Sequence, residues 1–287
     1  MQGSTRGWGS GLLGVAIFSG SMPATRLAVL GLSPLLLTAL RALIAGVLAA
    51  AMLAGTRQRW PDRGQWQRVA LVAGGCVVGF PLLSALALQH MTSARSLVFI
   101  GLLPLSTAVF GVARGGERPS AAFWIFALTG AAAVAGFALL RGGDGTPLGD
   151  ALMIAGIVLC GLGYAEGAVL TRDLGGWQAI CWALVITLPL SALAVALVWP
   201  AAGVASVRWA SWAGLAYISV FSMLIGFVFW YRGLSLGGIA SVGQLQLLQP
   251  FMGLGLAALV LHETIAPAMV AVTLVVVGSV AGARRFA

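Results

Sequence analysis

The sequence predicts an all-α integral membrane protein with ten transmembrane helices arranged as two inverted five-helix repeats. Three observations predict it. The first is composition: of 287 residues, 8% are charged and 60% hydrophobic. A soluble domain carries roughly 25% charged residues. So few charges cannot coat a surface that faces water, so most of this surface must face lipid, and the mean hydropathy of +1.01 agrees. The second is a series of long, nearly charge-free runs. The third is that the chain matches itself at one fixed offset.

The apolar runs lie at 8–29, 33–54, 66–88, 92–113, 120–140, 148–170, 177–199, 209–231, 239–261 and 266–283. As helices they are long enough to cross a hydrocarbon layer of ~30 Å. Turn-formers mark the joints, among them Gly31 to Pro34, Thr56 to Asp62, Gly115 to Ser120, Arg141 to Pro147 and Pro200 to Gly203. The loops are short and leave no room for a sizeable soluble domain. The first run is long and nine more follow it, so it reads as a retained helix and not as a cleaved signal.

All 16 basic residues are arginine, and the net charge is +9. With the N-terminus in the cytoplasm, Arg6, Arg57, Arg59, Arg63, Arg68, Arg114, Arg118, Arg172, Arg232, Arg284 and Arg285 fall inside. Arg26, Arg95, Arg141 and Arg208 fall outside, and Arg41 lies within the second run. That bias satisfies the positive-inside rule and places both termini in the cytoplasm. A nucleic-acid-binding face would need the arginines clustered on a wet surface, so no nucleic-acid partner is expected. Cys76, Cys160 and Cys181 lie inside apolar runs without metal-ligand spacing. No metal or cofactor is expected. The partners implied are the lipid bilayer and a small solute, and the sequence is compatible with a monomer.

Sliding the chain by 146 residues sets Thr25-Arg26 on Thr171-Arg172, Ala94 on Ala240, Pro104 on Pro250, Glu117 on Glu263, and Val134-Ala135-Gly136 on Val280-Ala281-Gly282. The repeats are then residues 1–140 and 148–287, joined by a linker at 141–147. Five is an odd number of crossings, so the second half enters the membrane from the opposite side. Many secondary transporters share this plan, with the substrate held between the halves near mid-depth. Duplicated channels exist too, so a passive channel or facilitator stays open as an alternative.

Phe18-Ser19-Gly20-Ser21 through Thr25-Arg26 resembles the first-helix signature of the EamA-type drug/metabolite transporters. Pro34, Thr38 and Arg41 resemble that family's second helix. Thr92-Ser93-Ala94, Pro104 and Gly116-Glu117-Arg118 resemble its fourth, and Ala240, Pro250 and His262-Glu263 repeat the pattern. The resemblance implies ten helices, cytoplasmic termini in a bacterial inner (plasma) membrane, and export of metabolites. Within the family the chain is most similar to aromatic amino acid exporters of the YddG kind, which implies an aromatic or other apolar amino acid as solute. A multidrug or cation exporter of the same superfamily is the alternative.

The symmetric residues read as scaffold. Glu117 and Glu263 each precede a helix whose free N–H groups a carboxylate can cap. Pro104 and Pro250 interrupt helices four and nine, and Gly75/Gly79 and Gly278/Gly282 have the spacing of close helix packing.

The asymmetric polar residues are the site candidates. Gln244, Gln246 and Gln249 fall opposite Val98, Ile100 and Leu103, and amides in an apolar span need partners from other helices, water or substrate. With them stand Ser21 and the aromatics Phe80, Phe99, Tyr164, Tyr217 and Phe221, which suit a cavity for an amphipathic solute. Glu166, Arg41 and His90 are candidates for coupling or gating, with a structural ion pair as the competing role for Glu166 and for Arg41. Runs one, three, four, six, eight and nine are expected to line the path.

Enzymatic function is not expected. Gly233-Leu234-Ser235-Leu236-Gly237 spells G-x-S-x-G, but that motif needs a strand–turn–helix setting. Here it follows a membrane helix, in what reads as a loop without a His/Asp partner.

Overall fold

The computed structural model describes residues 2–115, 120–139, 145–201, 203–237 and 244–284. The described residues are helical and contain no strand. Among them seven helical runs, counted through their internal breaks, are long and apolar enough to cross a membrane, and three shorter apolar helices accompany them. The helices are α1 (Gln2–Ser19), α2 (Ser21–Val29), α3 (Pro34–Gly55), α4 (Arg63–Val72), α5 (Phe80–Ala87), α6 (Ser93–Ile100) and α7 (Leu103–Gly115). They continue with α8 (Ala121–Leu139), α9 (Pro147–Leu174), α10 (Gln178–Val198), α11 (Trp209–Ala216), α12 (Phe227–Gly237), α13 (Gln249–Leu261) and α14 (Pro267–Arg284).

Local chemistry sets the boundaries. Ser33 caps α3 by accepting the Leu36 N–H, and Pro34 takes the first helical position, where its missing N–H costs nothing. Asp62 and Gln65 form a capping box at the start of α4. Thr92 caps α6 and Thr146 caps α9. The end of α3 closes by the Schellman pattern, Gln58 N–H to Leu53 C=O and Arg57 N–H to Ala54 C=O. Arg57 therefore takes a left-handed backbone (φ 48°) that usually falls to glycine.

Proline also breaks the spans where it occurs inside them. Pro23 lacks an N–H and crowds the carbonyl four residues back, and the first span is interrupted at Gly20, between α1 and α2. In the third span a π-helical segment, Ala73–Gly79, precedes Phe80-Pro81. In the eighth, a second π-helical segment covers Tyr217–Gly226. Shifted by 146 residues the first segment falls within the second. The breaks before Pro104 and Pro250 correspond in the same way: α7 begins at Leu103 and α13 at Gln249. The segment Gln244–Leu248 that leads into α13 is a 3₁₀-helix.

The packing crosses between the two stretches of chain. The chief contacts pair α3 with α10, α1 with α12, α8 with α14, α5 and α7 with α9, and α6 with α13. Each pair joins one of the first eight helices to one of the last six. Glycine lets some of them close. A Cβ at Gly75 would fall on the Leu159 carbonyl and Gly163 of α9, and one at Gly20 on the Tyr217 hydroxyl.

Two sequence expectations change here. Gly233 to Gly237 continues α12 as helix and is not a loop, so the G-x-S-x-G match also lacks a turn. Glu263 does cap a helix, but not the one that follows it. Glu117 lies outside the described residues.

Candidate functional site

A small hollow lies where α1, α2, α3, α5, α6, α7, α9, α12, α13 and the two π segments converge. Phe18, Ser21 and Met22 line it from the first span and Arg41 from the second. Cys76 and Phe80 come from the third, Ile100 and Leu103 from the fourth, and Cys160 and Tyr164 from the sixth. Ser222 comes from the second π segment, Phe227 from α12 and Gln249 from α13. Its volume is about 30 Å³, room for roughly two water molecules at the ~10–15 Å³ each needs. A solute the size of an amino acid needs the walls to part.

Three pairs on this wall are related by the 146-residue offset: Phe18 with Tyr164, Cys76 with Ser222, and Leu103 with Gln249. Cys76 and Ser222 lie within the two π segments. A π segment carries one extra residue in a turn and commonly marks a functional position in a helix. Here it brings the two equivalent residues to one hollow.

The polar groups of the wall interlock. Ser21 and Ser222 share a hydrogen bond of 2.7 Å between their hydroxyls. Arg41, 5% exposed, donates from Nη2 to Ser222 Oγ at 3.3 Å. Its Nε finds no acceptor. The carboxylate partner expected for Arg41 is not found among the described residues. Aromatic rings pack behind these groups, with Phe227 edge-on to Phe18 (5.1 Å between centroids) and to Tyr164 (6.0 Å).

Ser21, Phe80, Tyr164, Gln249 and Arg41 are thus brought together. The other candidates are placed elsewhere. Phe99 is fully buried and packs edge-on against Phe137, away from the hollow. Tyr217 donates to the Ile17 carbonyl at 2.8 Å and stacks on Phe221, which is 47% exposed on the outside of the bundle. Gln246 is buried off the wall, with its Nε2 unpartnered. Gln244 lies in the 3₁₀ segment, and its side chain is outside the described residues. Glu166, 1% exposed, is ion-paired with Arg68 at 3.0 Å. His90 is exposed in the turn after α5, where its backbone carbonyl accepts the Thr146 N–H.

Sequence reasoning missed Ser222, Cys76 and Cys160 as wall residues. A lone serine or cysteine in an apolar run carries no period of its own. The usable signal was the offset, since Cys76 falls on Ser222 and both are small and weakly polar.

Polar contacts tie the bundle together at both ends. At one end Arg95 holds Asp150 by two hydrogen bonds, Nε to Oδ1 at 2.9 Å and Nη2 to Oδ2 at 2.8 Å, with its guanidinium 4.8 Å from the Phe137 ring centre. Arg26 donates to the Leu88 carbonyl, 62 residues further along the chain. At the other end Gln178 donates to Gln58 at 3.1 Å, and Trp60, Trp66 and Trp182 cluster. There a polar cleft of about 420 Å³ is lined by Arg57, Arg59, Asp62, Gln65, Asp173 and Gln178, among others. It is larger than the central hollow, but it lies at one end of the bundle.

Comparison with known proteins decides the family. The model of the EamA-like transporter family matches residues 5–139 and 147–284, nearly the whole chain. The chain belongs to the EamA-like transporter family. An uncharacterized transporter, YdeK of Bacillus subtilis (strain 168), is 60% identical over 291 aligned residues that cover 100% of both chains. A solved crystal structure at 22% identity superimposes with a TM-score of 0.66, covering 97% of this chain and 96% of the other, a likeness of fold alone. The protein is a multi-pass membrane transporter and not an enzyme.

Proposed function

We propose that this transporter is a carrier that exports small organic solutes, chiefly aromatic or other apolar amino acids, by alternating access through the central hollow. In this reading ten helices span the membrane. Residues 1–140 and 148–287 form two five-helix repeats of opposite topology, joined at 141–147. The single observation that carries it is the wall of the hollow. Phe18/Tyr164, Cys76/Ser222 and Leu103/Gln249 are equivalent positions in the two halves and meet around one space. The cross-half helix pairing and the family match over two separate stretches support the same plan. Rocking one half against the other exposes such a space to each side in turn. The arginine distribution supports cytoplasmic termini in the bacterial plasma membrane, with the polar cleft around Arg57 and Asp173 as the inner vestibule.

Counterflow in proteoliposomes tests this. Vesicles loaded with unlabelled phenylalanine, tryptophan or leucine should accumulate the labelled solute transiently and saturably. Flux that never saturates and is not stimulated by solute on the far side would make the protein a channel. Saturable exchange of organic cations alone would make it a cation exporter.

A further inference from the structure

We infer that the central hollow recognises its solute by a carboxylate, with Arg41 as the receptor, so that apolar carboxylates are taken and organic cations are refused. The inference deepens the carrier reading and rests on its placement of the site.

Among the described residues, Arg41 has no counter-charge. Arg41 lies within α3 in an apolar span, 5% exposed. A buried guanidinium without a counter-charge is costly, and proteins rarely keep one without a use for it. The chain has seven acidic residues. Among the described ones, Asp150 is bound to Arg95 and Glu166 to Arg68. Glu263 is bound to Ser93 and Ala94, Asp62 to the start of α4, and Asp173 lines the cleft at the Arg57 end. None faces Arg41. The residue at the equivalent position of the second half is Thr187, whose hydroxyl donates to the Leu184 carbonyl. The positive charge is therefore a one-sided feature of the site.

Arg41 Nη2 donates to Ser222 Oγ, and Ser222 and Ser21 share one hydrogen bond. If Ser222 donates to Ser21, the Ser21 proton remains free. If Ser21 donates, the Ser222 proton remains free. Either way one hydroxyl proton and the Arg41 Nε–H are left to give. At least two spare donors beside a positive charge, and no acid on the wall, fit a carboxylate. The rest of the wall is mostly apolar, with Phe18, Met22, Phe80, Ile100, Leu103 and Phe227 beside Tyr164, Gln249 and two cysteines, which fits an apolar body.

The test uses shape-matched pairs on the purified protein: phenylalanine against phenylalaninamide, and phenylacetate against phenethylamine. Thermal stability in detergent reads binding, and counterflow reads transport. The carboxylates should raise the melting temperature and drive exchange, and the amide and amine should do neither. Arg41→Gln should bind the carboxylates roughly 10- to 100-fold more weakly, the usual worth of a charged hydrogen bond. Arg41→Lys should recover part of that loss. Should Arg41→Gln fail to fold, the wild-type pairs still decide. Equal response to amide and acid, or no response to any carboxylate, overturns the assignment. Saturable exchange of amines without acid preference overturns it while leaving the carrier intact. Carboxylate binding with unsaturable flux keeps the assignment and sinks the carrier.

Discussion

The Glu263 carboxylate closes the N-terminus of α6, a helix that begins 170 residues earlier in the chain. It accepts the Ser93 N–H at 3.0 Å, the Ser93 hydroxyl at 2.8 Å and the Ala94 N–H at 2.8 Å. The backbone aims it there. His262 adopts a left-handed conformation (φ 53°), and the His262 and Glu263 N–H groups both return to the Ala257 carbonyl, which turns the chain at the end of α13. The result is a strap between two distant stretches of chain, made of a carboxylate on a helix N-terminus.

That strap carries a measurable weight. Glu263→Gln keeps the shape but loses the charge, and Glu263→Ala loses both. Stability should fall by roughly 1–2 kcal/mol for Ala and by less for Gln, the range of helix caps and dipole pairs. Thermal unfolding in detergent checks the order. Equal melting of all three proteins would show that the strap holds nothing.

Arg95 and Asp150 form a bidentate pair with side chains 3% and 8% exposed. Removing one partner strands a buried charge and should cost about 3–5 kcal/mol, more than removing both. Asp150→Asn and Arg95→Met should each melt well below the wild type. Arg95→Met with Asp150→Leu should recover part of the loss. A double variant no better than the worse single one would mean that the pair is not coupled.

Gly74 and Gly75 are chain neighbours with opposite surroundings. A Cβ at Gly74 meets nothing within 4 Å, whereas one at Gly75 strikes α9. Gly74→Ala should express and melt like the wild type. Gly75→Val should lower the yield of folded protein sharply, because two helix backbones would have to separate. Size-exclusion chromatography of both variants reads the difference.

Gln249 and Gln246 are neighbours at the start of α13 and in the 3₁₀ segment before it, but they do not share a role. Gln249 is on the wall of the hollow and Gln246 is not, with its Nε2 unpartnered. Gln249→Leu should cut exchange at least tenfold with little change in melting. Gln246→Leu removes an unsatisfied amide and should be neutral or stabilising, with exchange retained. Loss of exchange in both variants would place Gln246 in the path after all.

Much of the fold could be read along the chain. Charge scarcity named lipid as the solvent, the apolar runs marked the helices, and Pro104 and Pro250 marked breaks at equivalent places. Part of the site was legible too: Ser21, Phe80, Tyr164, Gln249 and Arg41 were selected as polar or aromatic exceptions in apolar spans, and they meet at one hollow.

The sequence by itself determined the solvent and the helical segments with their breaks, because these depend on composition, length and proline chemistry, which act locally. Only the tertiary structure decided which side chains face inward. In a soluble helix, polarity marks the outside, but here the lipid face and the packed face are both apolar, so Phe99 in the core, Phe221 outside and Phe80 on the hollow look alike in the chain. Helix rotation of ~100° per residue makes the facing sensitive to single-residue shifts, and the π segments at Ala73–Gly79 and Tyr217–Gly226 introduce such shifts. The partners of Glu263 and Glu166, and the pairing of Arg41 with a serine and not with a carboxylate among the described residues, were likewise fixed by contacts between distant parts of the chain.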